Sequence, residues 1–409
     1  MRISSELVFR TGLQTIQQQQ ADFLHLYQTI GTGQKMVTPA DDPLAASQAI
    51  NLSQSQSLNQ RYAANRSVAR QALEFEESAL GALTLSMQDL QTRLVEAGNG
   101  TLSDADRRSL AGVLANLRDT MLGIANKADG SGQYLFSGSR GDVPAYSPDG
   151  LYAGDELPRL IQADQTRQID SADNGRAVFE RAQPGTRAYL TAAAAGNAGT
   201  AVLAQPAIQD IQQGNIAAEY AFTLVFDGDQ DYHVDIRDGQ GALVQTLAGQ
   251  WQPPAASLDL GMGTHVQISG QPQAGDQFEI RPLRDENLNL FQTLDTLVQA
   301  LGEPIQNSAA AQAQLRNQLN TAMQKVSSLY DNVLTVRAST GMRLNELEAL
   351  DDTGAQRDLG YRKALSDLED LDYYQASIQL NLRKAALMGA TDAFQAIQDL
   401  SLFNLNQRR

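Results

Sequence analysis

The chain has 409 residues, a formal net charge of −16 and no cysteine. That length allows two or three domains with a sizeable core, and the missing thiols exclude disulfides, zinc–thiolate sites and thiol nucleophiles. The acidic balance disfavours nucleic acid and anionic membrane as partners.

The chain opens MRISSELVFRTGLQ, where Glu6 and Arg10 interrupt any apolar run of signal-peptide length. No stretch approaches a membrane-spanning length, so neither a cleaved signal nor membrane insertion is expected. Phe9, Leu13, Ile16, Phe23, Tyr27 and Ile30 follow a four-three step, with Gln20 in the one gap, and predict an amphipathic helix.

The stretch TIGTGQKMVTPADDP, residues 29–43, then breaks the pattern and sets two carboxylates between two prolines. Adjacent residues share no helix face, and no histidine is expected near, so a metal or acid–base role for Asp41 and Asp42 is the weaker reading. The geometric reading makes Asp42 an N-cap and Pro43 the first helical residue, where its missing N–H costs nothing. Thr38-Pro39 holds the chain extended before the turn. Thr38, Pro39, Asp41, Asp42 and Pro43 thus form a helix corner, in which Asp41, outside the cap, should tolerate replacement better than Asp42.

Beyond Pro43 a seam of Leu58, Tyr62, Ala69, Ala72, Ala79, Leu83, Met87, Leu90, Leu94 and Ala97 predicts one helix. It would be roughly 80 Å long at about 1.5 Å per residue. Asn65 and Glu76 are polar interruptions in it. Gly98-Asn99-Gly100 ends it, and Ser103 or Asp104 caps a second helix with a seam at Leu110, Leu114, Leu117, Met121, Ile124 and Ala128.

Nine of the twelve prolines fall between positions 144 and 282, and proline disrupts helix interiors. In the same region YAFTLVF and YHVDIRD alternate apolar and polar residues about a DGDQD turn, which reads as a β-hairpin. THVQISG and QFEIRPL read as further strands. After it, Leu290, Leu294, Leu297 and Leu301 form one helical seam, and Leu315, Leu319, Ala322, Val326, Leu329, Val333, Val336, Thr340, Leu344 and Leu347 another. The fold class is mainly α with an inserted β-rich domain, elongated, its long helical bundle drawn from both chain termini.

Near the end, Tyr373, Leu380, Leu387 and Phe394 repeat every seven residues, beside a second stripe of Leu371, Ile378, Leu382 and Ala385. Two stripes on one helix require more than one neighbour. Other subunits of a polymer or ring meet that need, as does ordinary packing inside one large helical domain; the pattern leaves both open.

Motifs for chemistry are missing. His25, His233 and His265 are isolated in sequence, and no HExxH or GxSxG occurs. GSGQYLFSG lacks the GK[ST] ending of a phosphate loop. Asp227, Asp229 and Asp231 begin like a calcium loop, but Tyr232 and Asp238 stand where glycine and glutamate are needed. Neither an enzyme nor a cofactor is expected.

Five stretches carry a family resemblance: MRISSELVFRTGLQ, TGQKMVTPADDPLAASQAI, GNGTLSDADRRSLAGVLANLRD, IANKADGSGQYLFSG and LDYYQASIQLNLRKAALMGATDAFQAIQDLSLFNL. Together they resemble the bacterial flagellin superfamily, and within it the hook–filament junction family, hook-associated protein 3. The resemblance spans about residues 1–142 and 284–409. It implies a structural chain of the flagellum, exported through the flagellar type III apparatus without a cleaved signal and located outside the cell. The implied partners are further copies in a ring, hook-associated protein 1, flagellin and an export chaperone.

The implied organisation is an inner helical domain from 1–42 and 361–409, a helical rod from 43–142 and 284–360, and a variable, surface-facing β-rich domain, 143–283. The expected assembly residues are Phe9, Leu13, Ile16, Phe23, Tyr27, Tyr373, Ile378, Leu380, Leu387, Phe394, Leu402 and Phe403. Two rivals remain: a filament flagellin, disfavoured by the MRIS opening and the SLF ending, and a flagellin-like chain whose middle domain binds or hydrolyses glycans.

Overall fold

The computed structural model describes residues 2–208, 219–228, 230–252 and 257–400. In chain order the helices are α1 (Arg2–Thr32), α2 (Pro43–Ala97), α3 (Asp104–Ala125), α4 (Gly175–Phe179), α5 (Leu290–Gly302), α6 (Ala309–Glu369) and α7 (Tyr373–Leu400). The chain forms two units, one of residues up to 64 and from 349 onward, the other of residues 65–348.

In the terminal unit α1 packs along α7, and the start of α2 meets the end of α6. There the Gln56 amide donates to Asp358 at 3.0 Å and the buried Asn59 amide to the Gly354 carbonyl at 2.8 Å. α6 and α7 are separate helices. Asp372 caps α7, accepting from the N–H groups of Tyr374 and Gln375 at 3.0 and 3.2 Å. Leu371 therefore lies in the link and not on the helix that its stripe implied; its N–H donates to the Gly33 carbonyl at 3.0 Å.

The larger unit is built on four helices. Ala79, Leu80, Leu83, Met87, Leu90 and Leu94 of α2 are fully buried, as are Leu114 and Met121 of α3 and Leu294 and Leu301 of α5. Leu319, Val326, Leu329 and Val333 of α6 join them. Full burial of each leucine, valine or methionine among them is worth about 1.5–3 kcal/mol. Ser103 and Asp106 form a reciprocal capping box at the start of α3. That helix stops at Ala125, so Ala128, placed in its seam by periodicity, instead pairs with Tyr134 in an isolated bridge.

Residues 126–188 make mostly turns, a short hairpin of β1 (Leu160–Gln162) and β2 (Gln168–Asp170), and α4. Their aromatic side chains enter the helical core. Tyr146 lies 4.8 Å from Phe291 and 5.6 Å from Phe179, ring centre to ring centre, and Phe136 lies 5.4 Å from Phe179.

The β-rich part is a pair of antiparallel sheets. One has the order β3-β11-β6-β7-β8, from β3 (Tyr189–Ala193), β6 (Ala221–Phe226), β7 (Asp231–Arg237), β8 (Leu243–Gln250) and β11 (Gln277–Pro282). The other joins β4 (Val202–Leu203), β10 (Thr264–Ser269) and β5 (Ala207–Ile208), with β9 (Ser257–Gly261) also paired to β10. Register places Phe278 beside Leu224 and Leu224 beside Val234, so the alternating apolar residues share one buried face. Asn317 of α6 accepts from the Leu203 N–H at 3.1 Å and donates to the Ala201 carbonyl at 2.9 Å. Thr321 donates to the Thr191 carbonyl at 2.6 Å. The polar face of α6 thereby satisfies strand groups that lack a neighbouring strand.

Candidate assembly surface and helix corner

Ile16, Phe23 and Ile30 of α1 are half-buried, as are Leu380, Leu387 and Phe394 of α7, and Ala376 is buried. Phe9 and Phe394 lie 5.1 Å apart, ring centre to ring centre. Gly12 makes room for that ring: a Cβ there would stand 2.8 Å from Phe394 Cδ2. Asp22 and Arg383 close a 2.7 Å ion pair, partly exposed and so worth at most about 1 kcal/mol. Gln19, not Gln20, is the polar residue drawn into the pair; it is half-buried while Gln20 is exposed.

A large apolar surface is left over. On α1, Leu7, Leu13, Leu24 and Tyr27 are exposed; on α7, Tyr373, Tyr374, Ile378, Leu382 and Met388 are exposed. Tyr374 keeps 77% of its surface in solvent and Leu382 keeps 64%. Among the expected assembly residues, therefore, Ile16, Phe23, Leu380, Leu387 and Phe394 help to join α1 to α7. Leu13, Tyr27, Tyr373 and Ile378 are open to solvent, and Phe9 touches Phe394 while also staying exposed. Leu402 and Phe403 lie outside the described residues.

The corner is held by both aspartates in different ways. Asp42 Oδ1 accepts from the Ala45 N–H at 3.0 Å, so Asp42 is the N-cap and Pro43 the first helical residue of α2. Asp41 Oδ2 accepts from the N–H groups of Val37 and Thr38 at 2.9 and 2.8 Å, and Oδ1 lies 3.1 Å from His25 Nε2. The Thr38 N–H above all, then the Val37 N–H and the His25 side chain, holds the Asp41 carboxyl below its ordinary range. Asp41 was expected to tolerate replacement better than Asp42, yet its carboxylate has more hydrogen-bond partners than the cap has: it closes the turn that precedes Asp42. His25, remote in sequence, faces the corner because α1 runs back past it.

Opposite the corner, the Lys35 N–H donates to the Glu369 carbonyl at 2.7 Å, and Gln34 bridges Asp370. Gly33 has φ of +74° and leaves room for the Tyr373 hydroxyl, which a Cβ there would approach to 2.9 Å. Sequence reasoning missed Asp372 and this link. The signal was there: an aspartate before the apolar repeat that begins at Tyr373.

Among the described residues no group of three or more histidine, cysteine or acidic side chains is placed to hold a metal. His233 faces Asp227 at 2.7 Å and His265 faces Asp259 at 3.8 Å, each beside a single carboxylate. No described helix is long and apolar enough to cross a membrane.

The family model for the bacterial flagellin N-terminal helical region matches residues 3–140. Flagellar hook-associated protein 3 of Escherichia coli strain K12 is 29% identical over 408 residues, covering 100% of both chains. FlgL of Xanthomonas campestris has a similar fold, with a TM-score of 0.65 and 26% identity over 77% of this chain and 99% of that one. The flagellar junction protein FlgL of Legionella pneumophila gives a TM-score of 0.61 and 25% identity over 79% of this chain and 100% of that one. Matched region, full-length relatives and fold agree: residues 3–140 resemble the flagellin N-terminal helical region, and the chain is similar along its whole length to flagellar hook-associated protein 3.

Proposed function

We propose that the protein is a structural component of the bacterial flagellum, set as a ring of subunits at the junction between hook and filament. One observation carries the reading. In a chain similar throughout to hook-associated protein 3, the paired terminal helices hold each other by one face and leave large apolar side chains on the others. Contiguous apolar surface of that kind marks an interaction site. Copies of the chain would associate through Leu13, Tyr27, Tyr373, Ile378 and their neighbours, with Leu402 and Phe403 in the same role. The ring would contact hook-associated protein 1 on one side and flagellin on the other. An export chaperone would cover the same surface beforehand, and the chain would leave the cell through the flagellar type III route without a cleaved signal.

The test is deletion of the gene in the bacterium that carries it. Cells should then bear hooks without filaments and shed flagellin into the medium, and the wild-type gene should restore filaments. Filaments of normal length and number on the deleted strain would refute the junction role. A filament flagellin would give the opposite result, loss of the filament's own subunit from the medium.

A further inference from the structure

The seam of α2 is broken at Glu76, and the break is fully buried. One carboxylate oxygen, Oε1, accepts from the Asp173 N–H at 3.0 Å; the other, Oε2, has no hydrogen-bond partner. An unpaired carboxylate in such a place is costly, and neutralisation by a proton is the usual escape. The charged groups around it come from three directions. Asp173, in the loop between β2 and α4, faces it with a second carboxylate. Arg343 of α6 reaches over, but its guanidinium binds the Asp173 carboxylate and the Asp170 carbonyl, the latter at 3.1 Å. Arg159, ahead of β1, adds a more distant positive charge and is itself held by the carbonyls of Gly138, Tyr134 and Leu135. On α2 and α6 the neighbouring charges, Glu77 and Arg337, are paired with each other.

One guanidinium therefore serves two carboxylates, and two carboxylates at one site cannot both ionise cheaply. We propose that the folded protein holds one proton on the Glu76–Asp173 pair, and that this proton latches the base of the inserted segment, residues 170–174, onto α2 and α6. Loss of the proton to solvent at alkaline pH leaves two negative charges against Arg343 and releases the segment. Burial first, and the negative charge of Asp173 next, push the Glu76 carboxyl up to about 8. The sign follows from linkage. In the unfolded chain Glu76 has an ordinary value of 4.5, so between that pH and about 8 the folded state binds one proton more. Stability from this site is full below the lower value, falls as pH rises through the window, and is level above it.

The experiment is denaturant unfolding of the full chain from pH 5 to pH 9, for wild type, Glu76→Gln and Asp173→Asn. The ratio of the wild-type unfolding constant to that of Glu76→Gln should rise by about tenfold per pH unit up to pH 8 and then flatten. Asp173→Asn removes the facing charge and should end the rise at a lower pH. A ratio that does not change with pH overturns the proposal. A second measurement needs no variant: hydrogen exchange at residues 170–174 of the wild type, corrected for intrinsic base catalysis, should lose about tenfold in protection between pH 7 and pH 9. Unchanged protection also overturns it.

Discussion

The seam of α2 and the seam of α1 are written in much the same way, yet the first is wholly buried and the second is only partly covered. Leu83, Met87, Leu90 and Leu94 are wholly buried by α3, α5 and α6 of the same chain. On α1, which packs along α7, Leu13 and Tyr27 of the seam stay in solvent and Ile16, Phe23 and Ile30 are only half-buried. Helical periodicity reports that a face is apolar; it does not report how many neighbours the chain itself supplies. The larger unit brings four helices to one core, whereas the terminal pair brings two and leaves Leu13, Tyr27, Tyr374 and Leu382 exposed.

The largest test of that contrast is a charge in the terminal pair. Ile16→Asp or Phe394→Asp would place a carboxylate among apolar side chains at a cost of at least several kcal/mol. Swimming and filament formation should be lost, while unfolding of residues 65–348 stays at its wild-type midpoint. A fall in that midpoint would show that the two regions are not separately stabilised.

A deletion probes the insertion next. Replacing residues 195–276 with a short turn joins β3 to β11, which are already paired from Ala193 with Phe278 to Tyr189 with Pro282. The helical core should survive this cut, and motility should suffer less than from the charge variants. A longer cut, 150–275, should fail to fold, because it removes Val178 and Phe179 from the core of the helices. Circular dichroism of the two purified chains separates them.

Leu83→Ala should then lower the stability of the larger unit by about 2–5 kcal/mol through lost burial and a cavity, read from chemical denaturation. At the corner, Asp42→Ala should cost roughly 0.5–2 kcal/mol and Asp42→Asn or Asp42→Ser much less. Asp41→Ala should lower the thermal midpoint of the terminal unit at least as far as Asp42→Ala does. The Asp41 carboxyl titrates below its ordinary value, 3.8, when folded. Its contribution is thus present above that pH and lost as pH falls through the lowered value, and Asp41→Asn should flatten that acid limb. The smallest effect belongs to Leu382→Ser, which should change monomer stability by less than about 0.5 kcal/mol. The same variant should still weaken polymer formation in sedimentation; if the monomer is destabilised instead, Leu382 has an intramolecular neighbour.

Much of this was legible in the sequence. The proline map, the seams and the two-residue alternation of YAFTLVF and YHVDIRD give the fold class, because those periods follow directly from backbone geometry. Ser103 and Asp42 announced their helices as caps. Other features have no local period. Tyr146 and Phe179 enter the helical core from a turn-rich segment, and nothing in their spacing says which core receives them. Asp41 looked idle because its partners include His25 of α1, to which the link after that helix returns. Glu76 looked like a tolerated polar interruption, since Asp173 and Arg343 lie far away in sequence.

Two close glycines, Gly12 on α1 and Gly33 just past its end, carry a consequence for the length of these segments. Gly12 receives Phe394 and Gly33 receives Tyr373, and the same number of residues separates the two glycines as separates the two aromatics on α7. On α7 that spacing is a whole number of heptads, so the two aromatics stand within roughly 60° of one another about the helix axis. One residue inserted in either span would turn its far end by roughly 100° and misalign one of the contacts. The two segments lie far apart in sequence, yet they are free to gain or lose residues only as a matched pair.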